Sequence, residues 1–288
     1  MNRARYFLSM AGLALLAMGV PVRAVTADSG TNAPASSAAN APAKQGGPRL
    51  PDNVAKAMRL PEGDARTNAL AAAALTWAQK DAVGPLAWLL QTPSPLGGQP
   101  WFDVVMTCFE TNGAVTANVL VRKGNQEQMR PLFFSWAEEK PAAATAWASK
   151  ASLPELVRYL VIFTIGEGAS KTNPSLAQTW AVSLPAQADR IAAIQGAAHQ
   201  MARQKFDAVA PWIKQLRQRD LIRAAAGAVV SDWKANKLKK GNEKDYGVIV
   251  GWVGQFPMSL GDQALAAHAP EINPLDPRTA VLWMQPMR

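Results

Sequence analysis

Apolar residues recur at i, i+3, i+4 and i+7 in Ile194, Ala197, Ala198 and Met201, the spacing of one face of an α-helix. The chain has already used that pattern at Leu70, Ala73, Ala74 and Trp77, and the likeness extends beyond the four positions. Leu184-Pro185 falls on Leu60-Pro61, Arg190 on Arg66, and Trp212-Ile213 on Trp88-Leu89. Sliding the same frame along the sequence finds Trp101/Val104/Val105/Cys108, Met129/Leu132/Phe133/Trp136, Ile162/Ile165/Gly166/Ala169 and Ala226/Val229/Val230/Trp233. The step is roughly 30 residues, inside the window that marks repeat architectures.

Each quartet predicts a first helix, and a shorter second helix follows it. Asp81, Asn112 and Asn173 share one position in the frame, and all three are residue types whose side chains accept an orphan amide at a helix start. Pro141 and Pro174 stand one position later, where the missing N–H is harmless. Trp88, Val119, Trp147, Trp180 and Trp212 are the apolar anchors of the second helices, and Pro93, Pro154 and Pro185 stop them. The expected fold is therefore all-α, a right-handed superhelical α-solenoid of about six to seven helical hairpins. Strands compete at 117–121 and 157–165, both rich in Val and Ile. The frame breaks at the polar stretch 237–245, and a helix resumes at 246–256 around Trp252. Beyond Gly261 the first helix is cut short at Pro270, while Asp276-Pro277 and Trp283 repeat a second helix, as expected of an end cap.

The ends carry a different composition. In residues 1–24, Arg3 and Arg5 precede an apolar run from Phe7 to Val20 and a small-residue site at Val22-Arg23-Ala24, the plan of a secretory signal peptide. Residues 25–50 are mostly Ala, Ser, Pro, Asn and Gly, with too little apolar surface to offset ordering entropy, which predicts a disordered linker. The repeat domain is then 51–288, exported to the periplasm or beyond, with no transmembrane helix once the leader is gone. Cys108 is the single cysteine, so no internal disulfide supports the core.

Of 288 residues 49% are hydrophobic, enough for a sizeable core, and the formal charge is +9. Arg3, Arg5 and Arg23 belong to the leader, leaving about +6, with the excess late in the chain. Lys237, Lys239, Lys240 and Lys244, with Arg217 and Arg219, are the candidate contacts for an anionic partner. Outside the cytoplasm such a surface meets head groups, wall polymers or acidic proteins, and no specific nucleic acid is expected. A solvated face that keeps the protein soluble is the competing reading.

The repeats resemble the α-solenoid class of tandem helical hairpins, similar to tetratricopeptide and HEAT proteins. They look most like the Ala/Trp-rich LP-x-G-x-x-R repeats of exported bacterial proteins of unassigned activity. The residues that carry this are Leu60-Pro61-Glu62-Gly63-Asp64-Ala65-Arg66, Trp77-Ala78 and Trp88-Leu89. The Gly-x-x-Tyr pattern of true tetratricopeptides is missing, so that family's peptide-groove residues do not transfer. The resemblance implies a scaffold or binding module.

Catalytic chemistry finds few residues to use. His199 and His268 are the only histidines; neither has a ligand partner at metal spacing, and a surface or half-buried structural role is expected for each. Cys108 holds a core position and should be inert. Glu62, Asp64, Glu138, Glu139, Glu155 and Glu167 contain no pair facing each other on one helix, although distant repeats can bring two carboxyls within about 5–9 Å. Arg66, Arg158 and Arg190 share one frame position. They form either a row of guanidinium forks for acidic ligands or ties from each helix to its preceding loop. No cofactor, metal or catalytic residue is expected. The leading reading is an exported, non-enzymatic binding or scaffolding protein for a protein or anionic envelope ligand. Its alternatives are a subunit, catalytic or not, of a cell-wall-processing enzyme, and a basic peripheral membrane-surface protein. Oligomeric state is not legible.

Overall fold

The computed structural model of the chain describes residues 50–91, 93–237 and 244–256. The expected leader, the linker up to residue 49, Lys239, Lys240, His268 and the irregular last repeat lie outside the described residues. Twelve helices and no strand are found among the described residues. They are α1 (Asp52–Met58), α2 (Asp64–Ala78), α3 (Val83–Leu89), α4 (Gly98–Lys123), α5 (Gln126–Glu139) and α6 (Pro141–Ala148). Then follow α7 (Glu155–Thr172), α8 (Pro174–Ser183), α9 (Gln187–Gln204), α10 (Phe206–Lys214), α11 (Arg219–Lys237) and α12 (Lys244–Val253). Residues 117–121 and 157–165, where strands competed, are helical.

The turn from first to second helix is reduced to one residue in four places. Asn112, Lys140, Asn173 and Lys205 hold extended backbone (φ/ψ −155/88, −133/60, −143/79 and −148/75) between helical neighbours. At Lys140 and Asn173 the cause is the proline that follows, which disfavours helical backbone in the residue before it. Asn112 and Asn173 also cap the next helix, accepting the Val115 and Leu176 amides at 3.2 and 3.0 Å. Asp81 does the same for Val83 and Gly84. At Asn112 the break is so short that both helices run on as the 26-residue α4. In length and apolar content α4 meets the requirement for a membrane span, but 56% of its apolar window is buried against neighbouring helices.

Every member of the six quartets is buried except Trp77, which is half-buried. Trp77 leans on Trp88, ring centroids 6.3 Å apart, and lies over Gly84, where a Cβ would collide with the indole. On its N-terminal side in the chain α2 is preceded only by the seven-residue α1, which packs on it. Among the second-helix anchors Trp88, Trp147, Trp180 and Trp212 are buried, and Val119 is half-buried.

Helices pack chiefly on others one or two places away in the chain. The long helices α5, α7, α9 and α11 lie side by side in chain order; α6, α8 and α10 each pack on the long helix before and the long helix after. Backbone contact between long helices needs glycine: a Cβ at Gly196 would meet the Phe163 carbonyl, one at Gly166 the Ala193 carbonyl, and one at Gly168 the Phe134 carbonyl. The Ala- and Gly-rich sequence of these helices is thus what lets them approach closely.

Candidate functional site

Beside the buried quartets, the long helices carry a second stripe at a spacing of four. It reads Arg130, Phe134 and Glu138 on α5, Tyr159, Phe163, Glu167 and Lys171 on α7, and Gln195, His199 and Arg203 on α9. Because neighbouring long helices stay in register, each stripe meets the next. The result is a ladder of polar and aromatic contacts running across four helices.

His199 is its centre. Its Nδ1 lies 3.0 Å from Glu167 Oε1 on α7 and its Nε2 lies 2.9 Å from Asp232 Oδ1 on α11. Glu167 and Asp232 are buried, at 4% and 8% side-chain exposure, and His199 is largely covered, at 12%. Arg130 Nη2 approaches Glu167 Oε2 at 3.5 Å, while Arg203 Nε (3.2 Å) and Asn236 Nδ2 (2.8 Å) serve Asp232 Oδ1. Burial alone would push the imidazole down from its ordinary value, but the hydrogen bonds and charges of Asp232 and Glu167 outweigh it and raise it to about 9. At neutral pH the ring is therefore an imidazolium that donates both N–H groups to carboxylates. Phe163 packs against it, centroids 5.9 Å apart.

The rest of the ladder repeats the theme. Lys171 Nζ pairs with Glu138 Oε1 at 2.7 Å and sits over the Phe134 ring at 5.3 Å. Tyr159 donates its hydroxyl to Gln195 Oε1 at 3.2 Å. Next to Tyr159, near the start of α7, Arg158 makes two 2.8 Å hydrogen bonds to the buried Asp189 carboxylate of α9. A bidentate guanidinium–carboxylate pair of this kind fixes orientation as well as distance.

Chemically, the arrangement binds helices to one another. With both ring nitrogens donating, His199 offers no lone pair to a proton or a metal, and no group of three or more His, Cys, Asp or Glu able to hold a metal occurs among the described residues. Cys108 is fully buried; burial, with the charge of Asp81 adding, pushes its thiol up to about 12. A thiol held so far above neutral pH supplies no thiolate nucleophile.

The arginines at one frame position divide. Arg190 Nη1 donates to the Leu184 and Pro185 carbonyls (2.8 and 3.0 Å), and Arg66 pairs with Glu62 at 3.5 Å, so both hold the preceding loop. Arg158 turns forward to Asp189 instead. The reason is register: Asp189 stands five residues before the α9 quartet, whereas Leu221 stands there in α11, so Arg190 has no carboxylate at the matching position. Of the cations proposed from sequence for an anionic partner, Arg217 and Arg219 are exposed in and beside the α10–α11 turn. Lys237 ends α11 and Lys244 begins α12; Lys239 and Lys240 fall between them, outside the described residues.

Sequence reasoning gives His199 a structural role but misses its partners. The signal is present: Glu167 and His199 both stand five residues after the first member of their quartets, so charged groups share one helix-facing position in successive repeats. Asp232 is displaced from that position by one residue and only the packing reveals it. Comparison with protein-family models, with curated proteins and with solved structures finds no match for this chain.

Proposed function

We propose that the chain is an exported, non-enzymatic binding or scaffolding protein, a right-handed α-solenoid of about six to seven hairpins that holds a protein or anionic envelope component on its repeat surface. The observation that carries this reading is the packing order: each described helix rests chiefly on helices one or two places away, as in quasi-one-dimensional arrays whose extended faces serve recognition. The ladder supports it from the side of chemistry, since His199, Glu167, Glu138 and Asp232 are engaged between helices. A membrane-surface role draws less support, because the large apolar side chains of the second helices are mostly buried.

Crosslinking in intact cells followed by co-purification from the envelope tests the reading. A partner recovered in stoichiometric amount is expected, and recovery of the protein alone, with no crosslinked species, overturns it. N-terminal sequencing of the same preparation tests export: the mature chain should begin after Ala24, and a retained Met1 contradicts the leader.

A further inference from the structure

The second helices also form a groove, distinct from the ladder. It has a volume of about 640 Å³ and lies between the latter half of α4, α6 and the turn that leads to α7. One wall is the straight row Ala114, Asn118 and Arg122 on α4; the other is Ala143, Ala146 and Lys150 along and just after α6. Val121, Trp147 and Leu153 line it as well, each less than a tenth exposed. Trp147 Nε1 donates to Asn118 Oδ1 at 3.1 Å, which ties one wall to the other and holds the groove in shape.

No carboxylate lines this groove. Arg122 and Lys150 are exposed, stand at and just past the C-terminal ends of α4 and α6, and neither has an ion pair among the described residues. A helix C-terminus favours cations in any case, so the repeat itself supplies the control. The equivalent position holds Gln91, Arg122, Lys150, Ser183 and Gln215. The hairpin therefore folds without a cation there, and adjacent cations occur on this one pair of neighbouring walls.

From the binding reading above, on which this inference rests, we infer that the groove between α4 and α6 is a docking site for an acidic peptide segment of a partner protein. Its carboxylates would lie against Arg122 and Lys150, and its small or apolar side chains would lie along the alanine walls over Trp147. The size is within the roughly 300–1,000 Å³ range of ligand sites, and an apolar trough with charges on its walls is the plan of peptide recognition in grooves. A flat lipid surface fits worse, because the large apolar groups Val121, Trp147 and Leu153 are recessed between the helices.

The test is selection of a random-sequence peptide library, displayed on phage, against the mature protein, followed by binding of the enriched peptides to variants. R122Q/K150Q removes the charge, Ala146→Phe fills the trough, and K214Q/R217Q removes the same charge from an exposed turn elsewhere. All replaced side chains are exposed, and circular dichroism confirms folding. Enriched peptides should be rich in Asp and Glu, lose roughly tenfold or more in affinity with R122Q/K150Q and with Ala146→Phe, and bind K214Q/R217Q as tightly as wild type. Peptides lacking carboxylates, or no enrichment at all, overturn the inference. Binding that is insensitive to both groove variants also overturns it, while leaving the wider binding function standing. Retention on phosphatidylglycerol vesicles that is lost in the groove variants, with no peptide bound, would replace the peptide by a lipid.

Discussion

Replacing His199 by alanine leaves Glu167 and Asp232 buried without their shared cation. The size of the effect follows from the imidazole itself. Raising its protonation point from 6.5 to about 9 corresponds to about 3 kcal/mol of preference for the charged form in the folded state. Breaking a buried pair by removing one partner costs about 3–5 kcal/mol, so His199→Ala should lose that much at pH 6. The sign of the pH dependence is set by the folded state binding the proton more tightly than the unfolded state. The stabilisation is complete below about pH 6.5 and is lost as pH rises through about 9. Urea denaturation of wild type and variant, followed by circular dichroism at intervals from pH 6 to 10, gives the difference directly. That difference should shrink by about 3 kcal/mol across the range. The triple variant H199F/E167Q/D232N, which removes both carboxylate charges together with the imidazolium, should recover part of the loss at pH 6. Two curves that fall in parallel from pH 6 to 10 would refute the reasoning, because His199 would then not titrate as a buried bridge.

Further outcomes follow from single contacts. Trp212→Ala should destabilise by about 3–5 kcal/mol, whereas Trp77→Ala, at a half-buried ring, should lose distinctly less; equal denaturant midpoints for the two variants would contradict the packing. Trp180 Nε1 donates to Ser149 Oγ at 3.0 Å, but Trp212 Nε1 is buried without a partner among the described residues, and Val182 stands where Ser149 stands in the repeat before. Val182→Ser should therefore raise stability by about 0.5–1.5 kcal/mol, read as an increase in urea midpoint, and a decrease would show that the hydroxyl does not reach the indole. Replacing Lys237, Lys239, Lys240 and Lys244 by Gln should leave thermal stability within about 0.5 kcal/mol and reduce salt-dependent retention on an anionic envelope fraction; equal retention at low salt would make the segment a spacer.

The helices are legible because a buried stripe forces a period on the sequence that survives changes of residue type. Leu70, Trp101, Met129, Ile162, Ile194 and Ala226 differ widely in size, yet all are buried. The one-residue turns are legible where a cap or a proline announces them, at Asn112, Lys140 and Asn173, and not at Lys205, which has neither. What stays hidden is contact between repeats. Arg158 and Arg190 occupy one frame position and look equivalent in sequence, but their partners depend on whether the next long helix offers Asp189 or Leu221. Pairing across helices is a property of two repeats in register, and a frame built from one repeat at a time does not contain it. The cationic groove is hidden for the same reason: Arg122 and Lys150 are 28 positions apart in the chain and line one groove because α4 and α6 pack together.

Hydrogen exchange of the whole chain under graded urea tests the stacked-repeat account most directly, since it reads the opening free energy of each helix. In an array held by nearest-neighbour interfaces, the ends open without the centre. Amides of α2, α3 and α12 should exchange through partial openings of lower free energy than those of α7 and α9, which the His199 bridge and the Arg158–Asp189 pair hold. One opening free energy shared by all twelve described helices would contradict it and mark a globule that unfolds as a single unit.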